Sequence, residues 1–211
     1  MSKIFGLVGA GGFGREVISY LDSVDPKSIY FIDDNITLSS VNEIKVISSE
    51  EFLKLPVKKK YFNISIAEGQ TRKKLAQYLS HNKIIPQTIK ARNSIVHEYS
   101  DIDEGAILCD FTIISPNTKI GKFFHLNRFS QIGHDSVIGD YVTFAPQVNC
   151  NGNVIVKNNV YIGTGAIIRN GTKENPIEIG EGAIVGMGAV VTKNVKANST
   201  VIGNPAKELK K

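Results

Sequence analysis

An apolar residue occupies every sixth position along half of this 211-residue chain: Val96, Ile102, Leu108, Ile114, Ile120, Leu126, Ile132, Ile138, Phe144, Cys150, Val156, Ile162 and Ile168. With 42% of residues apolar, a run this long in one register arises by chance with a probability on the order of 10⁻⁵. A period of six fits neither the roughly 3.6-residue helix nor the seven-residue coiled coil. A six-residue unit that buries one large side chain and then turns builds a continuous core only by stacking on its neighbours, and that is the pattern of a parallel β-helix.

Four places after each anchor lies a second inward candidate, mostly small or β-branched, as in Ser100, Ala106, Thr112, Thr118, Ser130, Ser136, Val142, Val148, Val154, Val160, Ala166 and Thr172, with Phe124 the bulky exception. Glycine follows many anchors, as in Ile132-Gly133 and Ile162-Gly163, which suits a sharp corner between flat faces. The stretch 172–178 is polar, carries Pro176, and is expected to be an excursion loop. Beyond it the period resumes at Ile179, Val185, Val191 and Ala197. The β-helix is therefore expected over 96–202, with a tail at 203–211.

Residues 1–83 read differently. Lys3–Val8 has the composition of a buried strand and runs directly into Gly9-Ala10-Gly11-Gly12-Phe13-Gly14-Arg15, after which Val17, Ile18 and Leu21 are spaced for a helix. A second strand over 28–32 ends in Asp33-Asp34, and a third over 61–67 precedes a helix carrying Arg72, Leu75, Ala76 and Leu79. Alternating strands and helices predict a small parallel sheet of the Rossmann-like α/β class. Gly9, Gly11 and Gly14 match a phosphate-cradling turn, and the acidic pair falls about twenty residues later, where a ribose or base contact is expected. The module is too short for two nucleotide halves, so a single nucleotide is a better guest than NAD. Residues 84–95 are expected to be a connection with little hinge freedom.

Composition narrows the function classes. The net charge of +5 is spread along the chain, with clusters only at 58–60 and 210–211, so nucleic acid is not an expected partner. No run has the length of a membrane span, and the start Met1-Ser2-Lys3-Ile4 lacks a signal-peptide layout, so a cytoplasmic protein is expected. Cys109 and Cys150 are too few for a disulfide framework or a zinc site, and no metal is expected. Among the four histidines, His134 lies two places past an anchor, on an outward corner, with Asp135 beside it. A carboxylate next to an imidazole orients it and raises its basicity. His125, expected to lie outward one coil away with Asn127 beyond it, is the rival. His97 and His81 read as structural or solvated.

Taken together, the glycine turn with Asp33-Asp34, the segment Ile132-Gly133-His134-Asp135-Ser136-Val137-Ile138-Gly139-Asp140, Asn151-Gly152-Asn153-Val154 and the closing Gly203-Asn204-Pro205-Ala206-Lys207 resemble the hexapeptide-repeat sugar acetyltransferases with an amino-terminal nucleotide-sugar domain. The likeness spans essentially the whole chain and is nearest to enzymes that N-acetylate nucleotide-linked 4-amino-4,6-dideoxy sugars. It implies a left-handed helix, a homotrimer with the active site between subunits, acetyl-CoA as co-substrate, and a base in the His134-Asp135 motif. It further implies that Asn127 lines the same site, that the Gly152 amide faces the thioester carbonyl, and that Thr143, Thr164, Gly186, Met187 and Gly188 lie along coenzyme A. The sugar nucleotide maps onto Gly11, Gly12, Phe13, Asp33, Asp34 and Ala67. Phe13 stands where a histidine is common and Ala67 where glycine is usual, which leaves the uridine, thymidine and guanosine carriers open. Two alternatives accompany this reading: O-acetylation of a sialic-acid-like sugar, and a trimeric scaffold without catalysis. Cys109 as an acyl carrier is a third, minor idea.

Overall fold

The computed structural model describes residues 3–21, 24–35 and 37–209. Strand β1 (Lys3–Val8), five of whose six residues are buried, is the centre of the amino-terminal sheet. It pairs in parallel with β2 (Ile29–Ile32) and β5 (Lys59–Ile64). The sheet continues through β4 (Ile44–Ile47) to the antiparallel β3 (Ser40–Val41) on one side and to β6 (Ile85–Pro86) on the other, in the order β3-β4-β2-β1-β5-β6. Three helices flank it: α1 (Gly12–Val17), α2 (Ser49–Lys54) and α3 (Gly69–His81). Helix α2 starts with a reciprocal cap between Ser48 and Glu51. In α3, Ala76 and Leu79 turn inward, and the Glu68 carboxylate accepts the Gln70 and Thr71 amides.

The segment 84–95, expected to be a bare connection, carries strands of both modules. Ile85–Pro86 closes the first sheet, while Ile89–Lys90 and Ile95–Val96 already pair with coils of the β-helix. The two modules therefore meet without a linker, since the backbone groups of the crossing chain are taken up by the sheets on either side.

The β-helix is left-handed and has three flat faces. Face one stacks Ile89–Lys90, Ile107–Leu108, His125–Leu126, Thr143–Phe144, Tyr161–Ile162 and Ile184–Val185. Face two stacks Ile95–Val96, Ile113–Ile114, Gln131–Ile132, Asn149–Cys150, Ile167–Ile168 and Val190–Val191. Face three runs from Asp101–Ile102 to Ile177–Ile179. The register is eighteen residues, Ile114↔Ile132 and Ile132↔Cys150, so the six-residue anchors of three successive units fall on three faces and meet again one coil later. Every anchor from Leu108 to Ile168 is buried in one continuous core, with Phe124 packed edge-on against Phe144.

Two departures from the ladder have simple causes. The coil after Val156 is five residues longer, pairing Val156 with Ile179, so the excursion occupies 169–176, and Ile177 and Glu178 belong to the returning strand. Thr172 lies exposed in that excursion, not in the core. The next coil is two residues shorter, and Ile179 pairs with Val195 and Val185 with Val201. Val195 and Val201 are therefore the buried anchors and Ala197 is exposed. The expected tail adds a last strand, Lys207–Glu208, antiparallel to Thr200–Ile202.

The amino-terminal module lies on face one, whose outward residues Ile89, Ile107, His125 and Thr143 are all buried beneath it. Arg72 from α3 clips the modules together. Its fully buried guanidinium donates through Nε to the Phe123 carbonyl, through Nη1 to those of Ile66 and Ala67, and through Nη2 to that of Val142. Burial pushes its pKa down to about 9, still above neutrality, so it carries its charge inside and relies on those four carbonyls for the lost water. Phe62, Phe123 and Tyr141 extend the contact as a stack of rings.

Candidate active site

His134 and Gly152 occupy equivalent places on the edge between faces two and three, one coil apart. Their backbones are tied by the Asn153 amide donating to the His134 carbonyl at 2.9 Å. Gly152 is buried and lies directly against the imidazole: a Cβ there would stand 2.7 Å from His134 Nε2, and its three nearest neighbours would all be atoms of that ring. Glycine is thus what allows the ring to lie over the next coil. On the other side of the ring, His134 Nδ1 is 2.6 Å from Asp135 Oδ2. A carboxylate only accepts, so Nδ1 is the nitrogen that donates, and in the neutral imidazole Nε2 is the one that carries the lone pair. The Asp135 carboxyl is held below the usual carboxylate range, first by the His134 hydrogen bond. His134 is exposed, so any reacting partner reaches Nε2 from solvent.

His125, the expected rival, is not an outward corner residue but lies wholly buried beneath the amino-terminal module. Its Nε2 contacts the Ile64 carbonyl at 2.9 Å and its Nδ1 has no partner. Desolvation, with Arg72 nearby, pushes its pKa well below the ordinary histidine value, and no substrate has access to it. Cys109 is equally shut off: burial pushes its thiol up to about 12, so no thiolate is available near neutrality to carry an acyl group.

Asn127 stands on a different edge, between faces one and two, with its Oδ1 4.0 Å from the Cys109 thiol. Within one chain, face two separates it from His134. The same edge carries Thr164, Gly186, Met187 and Gly188 along the later coils. Thr164 is exposed, Met187 is 82% exposed, and the Gly188 amide donates to the Thr164 carbonyl. This ridge of small residues around one apolar side chain suits a slender arm lying along the axis. Thr143 does not belong to it. It is buried on face one, and its hydroxyl donates to the Ala67 carbonyl at 2.8 Å, so it docks the modules and reaches no ligand groove.

The glycine turn follows β1. Gly11 and Gly12 are exposed, whereas Gly14 packs so closely on the Gly9 carbonyl that any side chain would collide. Asp33 braces the turn by accepting the Ala10 and Asn35 amides, at 3.1 Å each. Asp34, expected to contact the sugar nucleotide, spends both carboxylate oxygens on Ser49, one on its amide and one on its hydroxyl, at 2.8 Å each, and so anchors the start of α2. Phe13 leans on the His125 ring at 5.3 Å, and Glu16 of α1 pairs with Arg128 at 3.2 Å. The turn is thereby fixed beside the Asn127 edge. Ala67 closes the opposite side, held by Arg72 and Thr143.

Among the described residues no group of three or more His, Cys, Asp or Glu side chains is placed to hold a metal, and no helix is long and apolar enough to cross a membrane. Sequence reasoning missed Asn117, whose amide donates to Asp135 Oδ1. Its offset of eighteen from Asp135 is the signal that finds it.

Residues 5–79 match the PglD N-terminal domain. A GDP-perosamine N-acetyltransferase from Escherichia coli O157:H7 is 46% identical, covering 99% of this chain and 97% of the relative. The solved structure of WeeI from Acinetobacter baumannii AYE is 44% identical with a TM-score of 0.96, covering 98% and 100%. PerB from Caulobacter crescentus, solved in complex with CoA and GDP-perosamine, is 21% identical with a TM-score of 0.88, covering 98% and 97%, and shares the fold.

Proposed function

Because the chain belongs to the acyltransferase family of hexapeptide-repeat sugar acetyltransferases with a PglD-type amino-terminal domain, we propose that it transfers the acetyl group of acetyl-CoA to the C4 amine of a nucleotide-linked 4-amino-4,6-dideoxy sugar. Perosamine on a guanosine carrier is the favoured case, since the relative that is 46% identical is named for it. The reaction serves bacterial surface-glycan assembly and runs in the cytoplasm.

The observation that carries this reading is the placement of His134 Nε2 over Gly152. A neutral amine attacks the thioester carbonyl, the C–N bond forms, and Nε2 takes the proton the nitrogen loses. The charge that develops on the carbonyl oxygen meets the Gly152 amide, the C–S bond then breaks, and the departing thiolate takes the proton from the imidazolium to leave as the coenzyme A thiol. Asp135 keeps the imidazole in the Nδ1–H form and stabilises the cation it becomes. Transfer is direct, in line with the inaccessible Cys109 thiol. The exposed glycine turn braced by Asp33 holds the nucleotide diphosphate, and the Thr164–Met187 ridge holds the pantetheine arm.

A single chain keeps Asn127 and His134 on separate edges of one face, so we assign the complete site to the junction of two copies in a homotrimer. Face two supports this reading. Four of its six outward residues, Ile95, Ile113, Ile167 and Val190, are apolar and at least partly exposed; the two between them, Gln131 and Asn149, hydrogen-bond to each other, and the stacked, exposed Phe111 and Phe129 continue the apolar surface along the Asn127 edge. The test is a panel of nucleotide-linked 4-amino and 4-hydroxy sugars incubated with acetyl-CoA, following thiol release. Turnover with 4-amino sugars alone supports N-acetylation, and turnover confined to hydroxy sugars refutes it.

A further inference from the structure

We propose that Asn117 is a positioning residue for the acid–base pair, holding the Asp135 carboxylate in the orientation that fixes the His134 tautomer. The inference rests on the assignment of His134 as the base. Asn117 lies on the preceding coil of the same edge, and its Nδ2 donates to Asp135 Oδ1 at 3.2 Å while Oδ2 faces His134 Nδ1 at 2.6 Å. The two oxygens are thus divided between two donors, and rotation of the carboxylate away from the imidazole breaks both bonds. A carboxylate accepts only, so the Asn117 amide must present its NH₂ and cannot serve in the flipped orientation.

The backbone makes this arrangement repeatable. Asn117, Asp135 and Asn153 all have positive φ, 58°, 57° and 54°, at the same corner of successive coils. Asn and Asp tolerate that left-handed conformation better than other side-chain-bearing residues. Asp135 is further pinned by its own amide donating to the Pro116 carbonyl. The charged and titratable groups that act on its carboxylate are His134 from the same corner and Lys173 from the excursion loop, which lines a cavity of about 580 Å³ together with Asp135. Lys173 adds a diffuse attraction, and Asn117 supplies the directed bond. The pair is exposed, so without Asn117 the carboxylate has water as a competing partner and is free to leave Nδ1.

The test uses full-length protein labelled with ¹⁵N-histidine and compares wild type with Asn117→Gly, which keeps the left-handed corner without strain, and Asn117→Asp, which keeps shape but loses the donor. In wild type, long-range ¹H–¹⁵N correlations at alkaline pH should show His134 as the Nδ1–H tautomer. Both variants should populate the Nε2–H form and lose about tenfold or more in kcat with KM within about twofold. Retention of the Nδ1–H tautomer and full kcat in either variant overturns the proposal, because filling the corner or nothing at all would then suffice. The tautomer is read without substrate, so it separates this inference from the assigned reaction: a fully active His134→Ala enzyme sinks the reaction and leaves the tautomer result standing.

Discussion

A methyl group on Gly152 would lie 2.7 Å from Nε2 of His134 and 2.8 Å from Cε1, and its nearest neighbours would all belong to that ring. Gly152 is not among the residues with positive φ, so alanine is allowed by the backbone and the closest clash falls on one exposed side chain. Gly152→Ala should cost less than about 1 kcal/mol of stability. It should nevertheless lower kcat by about 100-fold, since the ring must leave the position from which, in the proposed reaction, it takes the proton. Paired denaturation and steady-state measurements separate the two effects.

Arg72 makes the opposite prediction. It is remote from the His134 edge, yet Arg72→Met leaves the carbonyls of Ile66, Ala67, Phe123 and Val142 short of a buried, charged donor. A loss of about 3 kcal/mol or more is expected in chemical denaturation. Arg72→Lys should recover little of it, because one ammonium cannot reproduce the planar fork.

His125 predicts an acid limb in stability. Its pKa is pushed well below 6.5 in the folded protein by burial and by Arg72. Below about pH 6.5 the unfolded chain binds a proton that the folded one does not, so stability falls as pH drops, by at most about 1.4 kcal/mol per pH unit from this group. His125→Gln should flatten that slope between about pH 6.5 and 5. An unchanged slope would locate the proton uptake elsewhere.

These contrasts show what the sequence discloses. Anchors such as Ile132 and Cys150 are legible because one repeated burial requirement writes itself at a fixed spacing, and the same spacing places His134 beside Gly152. The slip from Ala197 to Val195 was hidden because alanine and valine both satisfy an apolar pattern, and only pairing with Ile179 decides between them. Helix α2 and strands β3 and β4 are short and give little periodicity, although Ser48 and Glu51 carry a readable cap. His125, Thr143 and Asp34 look outward or ligand-ready in sequence. They are claimed by contacts with Ile64, Ala67 and Ser49, distant in the chain, which no local pattern reveals.

The proposed division of the site between copies predicts complementation. Asn127→Ala and His134→Ala chains should each be poorly active, and refolding them together in equal amounts should restore about a quarter of wild-type turnover, the share of junctions that receive both intact residues. Activity no greater than the sum of the parents would place both residues in one chain's site.

The central claim is that His134 is the base for direct acetyl transfer to a nucleotide-linked amino sugar, and it is tested most directly by kcat for His134→Ala with acetyl-CoA and GDP-perosamine, following thiol release. The account predicts a fall of about 10²–10⁴-fold with the thermal transition unchanged. Turnover within about threefold of wild type in the purified variant would contradict it.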